Sequence, residues 1–344
     1  MLKVRLFGLA MAGVLGLSTM NAATVTEDFS TDPLGNGWQV FGHTNLFQWD
    51  STNHQLGVTW DSTQTNSYFY LPLTNIFTRA DDFGMEFDLV LHDIASNVEP
   101  GKTGPLQLGI GFLNQAGAMS TNFMRGSFGN APDVAEFDYY TQGYYIFDGV
   151  TYPAAPATFP SFISGVNSYD YDPVTVSVYD NELPTNQTIH VSFSYTGEKQ
   201  TATLTVSTNG IPMVQLPPLP LDPTHGFVES DNVHLDMFSI SSYSSVGDDF
   251  DSVLAHGAIS NLTVRFQFRP VSAFTGTMIS NGVWQGHFYG HENRTYTLER
   301  TGDLQSWTAA AGPVAGSDGG MLLVDTHAPA EKGFYRVKAE VAGP

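Results

Sequence analysis

Apolar and polar side chains alternate in short runs along most of this chain. The clearest run is residues 83–94, where Met85, Phe87, Leu89 and Leu91 alternate with Glu86, Asp88, Val90 and His92. A period of two sends one set to a buried sheet face and the other outward. Similar patterns predict strands at residues 38–41, 46–49, 56–60, 68–71, 175–179, 189–195, 202–207, 233–241 and 259–268. Residues 106–113 are more uniformly apolar and are thinned by Gly109 and Gly111. In residues 134–140, Ala135, Phe137 and Tyr139 fall on one face, and Val134, Glu136, Asp138 and Tyr140 on the other. Residues 141–167 are rich in aromatics, Pro and Gly, show little periodicity, and are expected to form a long loop. No segment carries a long helical period. Many strands, with no helices to cover a parallel sheet, predict an all-β chain built as an antiparallel sandwich or barrel.

The pattern changes near Arg269-Pro270. Beyond it, residues 284–288, 295–300, 306–309, 321–325 and 334–338 read as five short strands. The turns Gly302-Asp303, Gly312-Pro313 and Ser317-Asp318-Gly319-Gly320 lie among them. This predicts a main domain over 24–268 and a small β-domain over 271–344, within the usual size range of domains.

Residues 1–23 are read apart from the fold. Lys3 and Arg5 precede an apolar run at 6–17 that is too short to span a bilayer, and Asn21-Ala22-Ala23 offers small residues for cleavage. The expectation is a signal peptide and a secreted, periplasmic or cell-surface location. The chain of 344 residues has no Cys, so its core must suffice without disulfides. The net charge of −21 opposes binding to nucleic acid and to anionic membranes. No later segment is apolar enough for membrane insertion, and a hydrophobic content of 42% opposes wholesale disorder.

Two carboxylates on one strand face, Cα atoms about 6–7 Å apart, are either ordinary solvent-facing acids or a site for a metal, a sugar or acid–base chemistry. Competing signals are thin. The histidines show no zinc spacing, there is no Gly-x-Ser-x-Gly, and Asp248, Asp249 and Asp251 read as a solvated turn without EF-hand spacing. His190 reads as a structural strand residue.

Several stretches together resemble the concanavalin A-like lectin/glucanase superfamily. Val134-Ala135-Glu136-Phe137-Asp138 looks like the metal-binding strand of legume lectins, and Leu108-Gly109-Ile110-Gly111-Phe112-Leu113 like the strand before it. Ile189–Tyr195 followed by Ala202–Val206 is similar to the late hairpin of those domains. The resemblance covers residues 24–268 and implies a jelly roll of two antiparallel sheets, often with a sugar-binding concave face. Tyr140 shares the acidic face and Tyr144 and Tyr145 follow it, and aromatic rings beside carboxylates suit sugar recognition, so Glu136, Asp138, Tyr140, Tyr144 and Tyr145 are the expected ligand set for a polysaccharide or surface glycan. Departures from the family pattern argue against the two-metal site of legume lectins and leave a single Ca²⁺, held by Glu136, Asp138, Asp148 and loop carbonyls, as the metal expectation, since a hard cation needs several oxygens.

The departures are specific. Leu108 stands where the lectin sugar site has an Asp, and no His follows the strand until His190. The superfamily's hydrolases use Glu-x-Asp-x-x-Glu or Glu-x-Asp-x-Glu, and Tyr140 and Thr141 stand where the last Glu belongs. Retaining hydrolysis needs two carboxyls with split roles. Residues 271–344 resemble a fibronectin-like module found on exported proteins of environmental bacteria, carried by Tyr296–Thr301, Gln305-Ser306-Trp307 and Phe334-Tyr335-Arg336-Val337. The expected function is non-catalytic glycan binding. The alternatives are a structural or adhesive surface protein, and a divergent glycoside hydrolase or lyase. Oligomeric state is left open.

Overall fold

The computed structural model describes residues 21–341, except 100–106, 122, 124, 126–132, 142, 148–149, 165–166, 170–180, 222–232, 245–251, 270, 280–281, 293, 318 and 330–332. The expected signal peptide, the strand at 175–179 and the acidic turn at 248–251 therefore lie almost wholly outside the described residues. The chain divides into two compact units, with the break between Gln267 and Phe268.

Residues 22–267 form an antiparallel β-sandwich, the fold class expected. One sheet has nine strands. Its central order is Ile211–Gln215, Thr201–Thr208, Thr188–Thr196, Asp82–Ser96, Val253–Phe268, Gln55–Asp61 and Phe47–Asp50. Asn21–Glu27 joins it beside Val253–Phe268, and Leu219–Pro220 beside Thr201–Thr208. The other sheet has seven strands: Asn167–Tyr169, Ala157–Ser164, Val134–Tyr140, Gln107–Leu113, Leu235–Ser242, Ser67–Phe77 and Gln39–Phe41. The strands alternate as their sequences require. Phe83, Met85, Phe87, Leu89 and Leu91 are buried, and the two phenylalanine rings meet rings of the opposite sheet. Phe83 lies 5.0 Å from Phe112, Phe87 5.8 Å from Phe137, and Tyr195 5.3 Å from Phe162. A fully buried Phe contributes about 1.5–3 kcal/mol, so this aromatic layer helps to hold the sheets together.

The expected loop at 141–167 is instead largely strand. Gly143–Phe147 and Val150–Ala154 pair as a two-stranded hairpin, and Ala157–Ser164 runs antiparallel to Val134–Tyr140. Periodicity hid this strand because described side chains on both of its faces are buried: Phe162 on one, Ser161 and Ile163 on the other. A strand buried on both sides has no polar alternation to read.

The seven-stranded sheet carries a second apolar cluster on its outer face. Tyr68, Tyr70, Leu113, Val134, Ile163, Met237 and Tyr243 pack there with Ala118 and Phe123 from the segment after Leu113. That segment opens with a short helix, Gln115–Ala118, capped by the Asn114 side chain accepting from the Gly117 amide at 2.8 Å.

Residues from 268 on form two three-stranded sheets. One is Ser272–Ile279, Val283–Gly290 and Gly319–Asp325; the other is Thr308–Ala315, Arg294–Thr301 and Phe334–Val341. The pattern foretold five of these strands and missed Ser272–Ile279. Their shared core is Trp284, Phe288, Tyr296, Leu298, Leu323, Tyr335 and Val337, with Trp284 stacked on Tyr335 at 3.8 Å.

Candidate functional site

The strand Val134–Tyr140 has the predicted bounds and parity. Tyr139 is buried with the inter-sheet core, while Glu136 and Asp138 point to the outer face. That face is not open at this point. Both acids are completely buried. Arg125, from the covering segment, donates through Nε to Glu136 Oε1 at 2.6 Å and through one terminal nitrogen to Asp138 Oδ2. The same terminal nitrogen reaches Ser161 Oγ at 3.1 Å. Tyr243 donates its hydroxyl to Glu136 Oε2 at 2.7 Å, and its ring centroid lies 5.8 Å from the Arg125 guanidinium carbon.

The neighbouring strands make room for this cluster. Gly109 and Gly111 sit opposite Asp138 and Glu136. A Cβ on Gly109 would come within 2.6 Å of the Tyr243 ring and 2.8 Å of Glu136 Oε2. One on Gly111 would meet Ala135 O and Glu136 Cα, both at 2.4 Å. On the next strand, Ser239 and Ser241 continue the row of small side chains, with their hydroxyls 3.0 Å apart. Glycine and serine thus form the floor on which the charged groups and Tyr243 lie.

Burial pushes the Asp138 carboxyl well above the usual carboxylate range. Arg125 opposes this and the adjacent Glu136 reinforces it. Burial likewise raises the phenols of Tyr243 and Tyr68, with Glu136 adding to both. A like charge beside a buried carboxyl disfavours its ionisation.

This arrangement tests the Ca²⁺ expectation. Calcium takes six to eight oxygens at about 2.3–2.6 Å. The carboxylates that would supply them are occupied by a guanidinium and a phenol, and the glycine contacts show no slack around Glu136. A cation does not fit between Glu136 and Asp138 with Arg125 in place. Among the described residues no three His, Cys, Asp or Glu side chains cluster as a metal site. Asp148 lies outside the described residues. Of the expected glycan set, Glu136 and Asp138 come together but are sealed from solvent, unlike the ordinary solvent-facing acids that were the alternative. Tyr140 ends the strand, partly exposed and in register with Ala157. Tyr144 and Tyr145 sit on the separate hairpin, in register with Pro153 and Tyr152.

An open groove lies on the nine-stranded sheet. Its volume is about 330 Å³, and it is lined by Asp82, Glu86, Ser192, Ser194, Arg265 and Gln267, among others. Arg265 grips Glu86 with both terminal nitrogens at 2.7 Å. The Arg265 hydrogen bond holds the Glu86 carboxyl below its usual value. Ser194 Oγ lies 2.6 Å from Thr203 Oγ1. Beside the groove Asp88 accepts from Asn261 Nδ2 at 2.7 Å and lies 2.9 Å from His190 Nδ1. Asn261 reaches it from a bulge, at φ 51°. His190 is thus an outward strand residue paired with an acid.

Sequence reasoning missed Arg125, Ser161, Tyr243, Glu86 and Arg265 as site residues. Arg125 has no local motif. A signal did exist for its floor: Gly109-x-Gly111 and Ser239-x-Ser241 are small-residue alternations that mark a face with something large upon it.

No protein-family model and no curated protein matches the chain. Solved structures similar to it include legume lectins. Winged bean acidic lectin complexed with methyl-α-D-galactose is 10% identical over 72% of this chain and 100% of that chain, with a TM-score of 0.40. Peanut lectin with a nine-residue peptide is 11% identical over 72% and 98%, at 0.37. The legume lectin-like domain of Entamoeba histolytica is 11% identical over 68% and 95%, at 0.34.

Proposed function

We propose that residues 22–267 are a lectin-like, non-catalytic glycan-binding module of an exported protein. The observation that carries this reading is the groove on the nine-stranded sheet. Two carboxylates, a guanidinium, two serine hydroxyls and an amide are among the groups that line one accessible surface. Sugar hydroxyls are donors and acceptors at once, and such a set offers both complements. Non-catalysis is supported by the fate of Glu136 and Asp138. Sealed and paired with Arg125, neither reaches a glycosidic oxygen, and acid–base help worth about 10²–10⁴ in rate needs a group within hydrogen-bond reach.

A glycan array on the purified protein tests the reading, followed by titration of the best ligand against Glu86→Gln and Arg265→Ala. Binding weakened tenfold or more by either variant, with no release of reducing ends, supports it. Binding to no glycan sinks it and leaves the structural or adhesive role ahead. Sugar release that disappears in Glu136→Gln promotes the hydrolase.

A further inference from the structure

We infer that Arg125 is a built-in cation that holds the covering segment to the seven-stranded sheet in place of a metal ion, so that the fold of this face is independent of Ca²⁺.

The observations converge on the guanidinium. Arg125 is almost fully buried and touches both carboxylates of the strand at once, with Ser161 as a third partner. A planar fork of five N–H donors spans two acids that a point charge would have to draw together. Tyr243 takes the remaining Glu136 oxygen and lays its ring beside the cation. The charge arrives on the same segment as Ala118 and Phe123, which cover the outer face. An ordinary surface arginine would not be buried among acids placed on glycine and serine. Desolvating a guanidinium is costly, and it persists in such a place only when its partners are also desolvated and correctly aimed. The site is therefore complete as folded, and its cation is covalently part of the segment it fastens.

Thermal unfolding of the purified protein, followed by near-UV circular dichroism, tests this. Curves of the wild type in EDTA and in millimolar Ca²⁺ should superimpose. Arg125→Met, close in length but uncharged, should lower the midpoint by about 10 °C or more, since it strands two buried acids. Arg125→Lys should fall between the two, because it keeps the charge and loses the fork. A rise of several degrees in the wild type on adding Ca²⁺, abolished by Glu136→Gln with Asp138→Asn, would overturn the inference. So would an Arg125→Met protein that melts with the wild type. The wild-type comparison stands even where a variant fails to fold.

Discussion

Tyr243 and Glu136, 107 positions apart in sequence, meet through a 2.7 Å hydrogen bond on the outer face of the seven-stranded sheet. The contact ties the end of one strand, across the intervening Gly109, to the acid pair on another. It is made in a buried setting, so its loss is not replaced by water.

Tyr243→Phe isolates this bond. The ring keeps its edge-to-face neighbours, Tyr68 at 6.1 Å and Phe123 at 5.9 Å. Only the hydroxyl that serves Glu136 disappears. Stability should fall by about 1–3 kcal/mol. Urea unfolding should show a lower midpoint with an unchanged slope, because the folded surface is the same. A variant as stable as the wild type would mean that Glu136 does not need this donor.

The two glycines should differ in how much they tolerate. Gly111→Ala drives a methyl against backbone, at Ala135 O and Glu136 Cα. Gly109→Ala meets the Tyr243 ring and a Glu136 oxygen, which are side-chain rather than backbone atoms. Both overpack the face, at about 1–3 kcal/mol or more. Gly111→Ala should be the more damaging, and soluble yield together with melting midpoint should rank them in that order. The reverse order would place the tight contact at Tyr243 rather than between the strands.

The acid pair also sets a pH dependence. The folded Asp138 carboxyl is raised by burial above its unfolded value of about 3.9. The folded protein therefore holds this proton where the unfolded chain has released it. The stabilisation is complete below about pH 4 and is lost as pH rises toward the folded value, by at most about 1.4 kcal/mol per unit. Asp138→Asn carries a permanent neutral group and should remove this part of the slope. Urea unfolding at several pH values from about 4 to 6 reads it directly. Parallel slopes in wild type and variant would show that Asp138 is ionised throughout.

Much of the sandwich could be read from one-dimensional pattern, and particular residues show why. Phe87 and Asp88 alternate because their strand has core on one side and water on the other, so Asp82–Ser96 announced itself. Ala157–Ser164 did not, since its neighbours bury both faces and prolines at 153, 156 and 160 read as loop. The position of Glu136 and Asp138 on one strand face was likewise legible from parity. Their burial was not, because it depends on Arg125 arriving from eleven residues earlier and on Tyr243 from 107 later. Nothing local at Arg125 records where its side chain ends. The groove at Glu86 was half visible: alternation placed Glu86 outward, but its partner Arg265 lies 179 positions on.

The change of pattern near Arg269-Pro270 leads to the last prediction. Val253–Phe268 pairs with Asp82–Ser96 as far as Gln267 opposite Asp82, so a chain cut after Phe268 keeps every sandwich pairing. The residues beyond have their own apolar cluster, anchored by Trp284 stacked on Tyr335. Each unit thus encloses a core of its own, the condition for folding alone. The sandwich, with many more buried aromatics, should be the sturdier. A chain of residues 22–268 should stay soluble, unfold cooperatively and retain near-UV ellipticity from its buried Tyr and Trp rings. Residues 268–344 form a small unit, about the size at which a core without disulfides supplies only 3–5 kcal/mol. They should unfold at lower denaturant, and Trp284→Ala should abolish their folding while leaving the unfolding of the sandwich in the full chain unchanged. Aggregation of 22–268 with loss of its near-UV signal would show that the C-terminal strands are part of the main core.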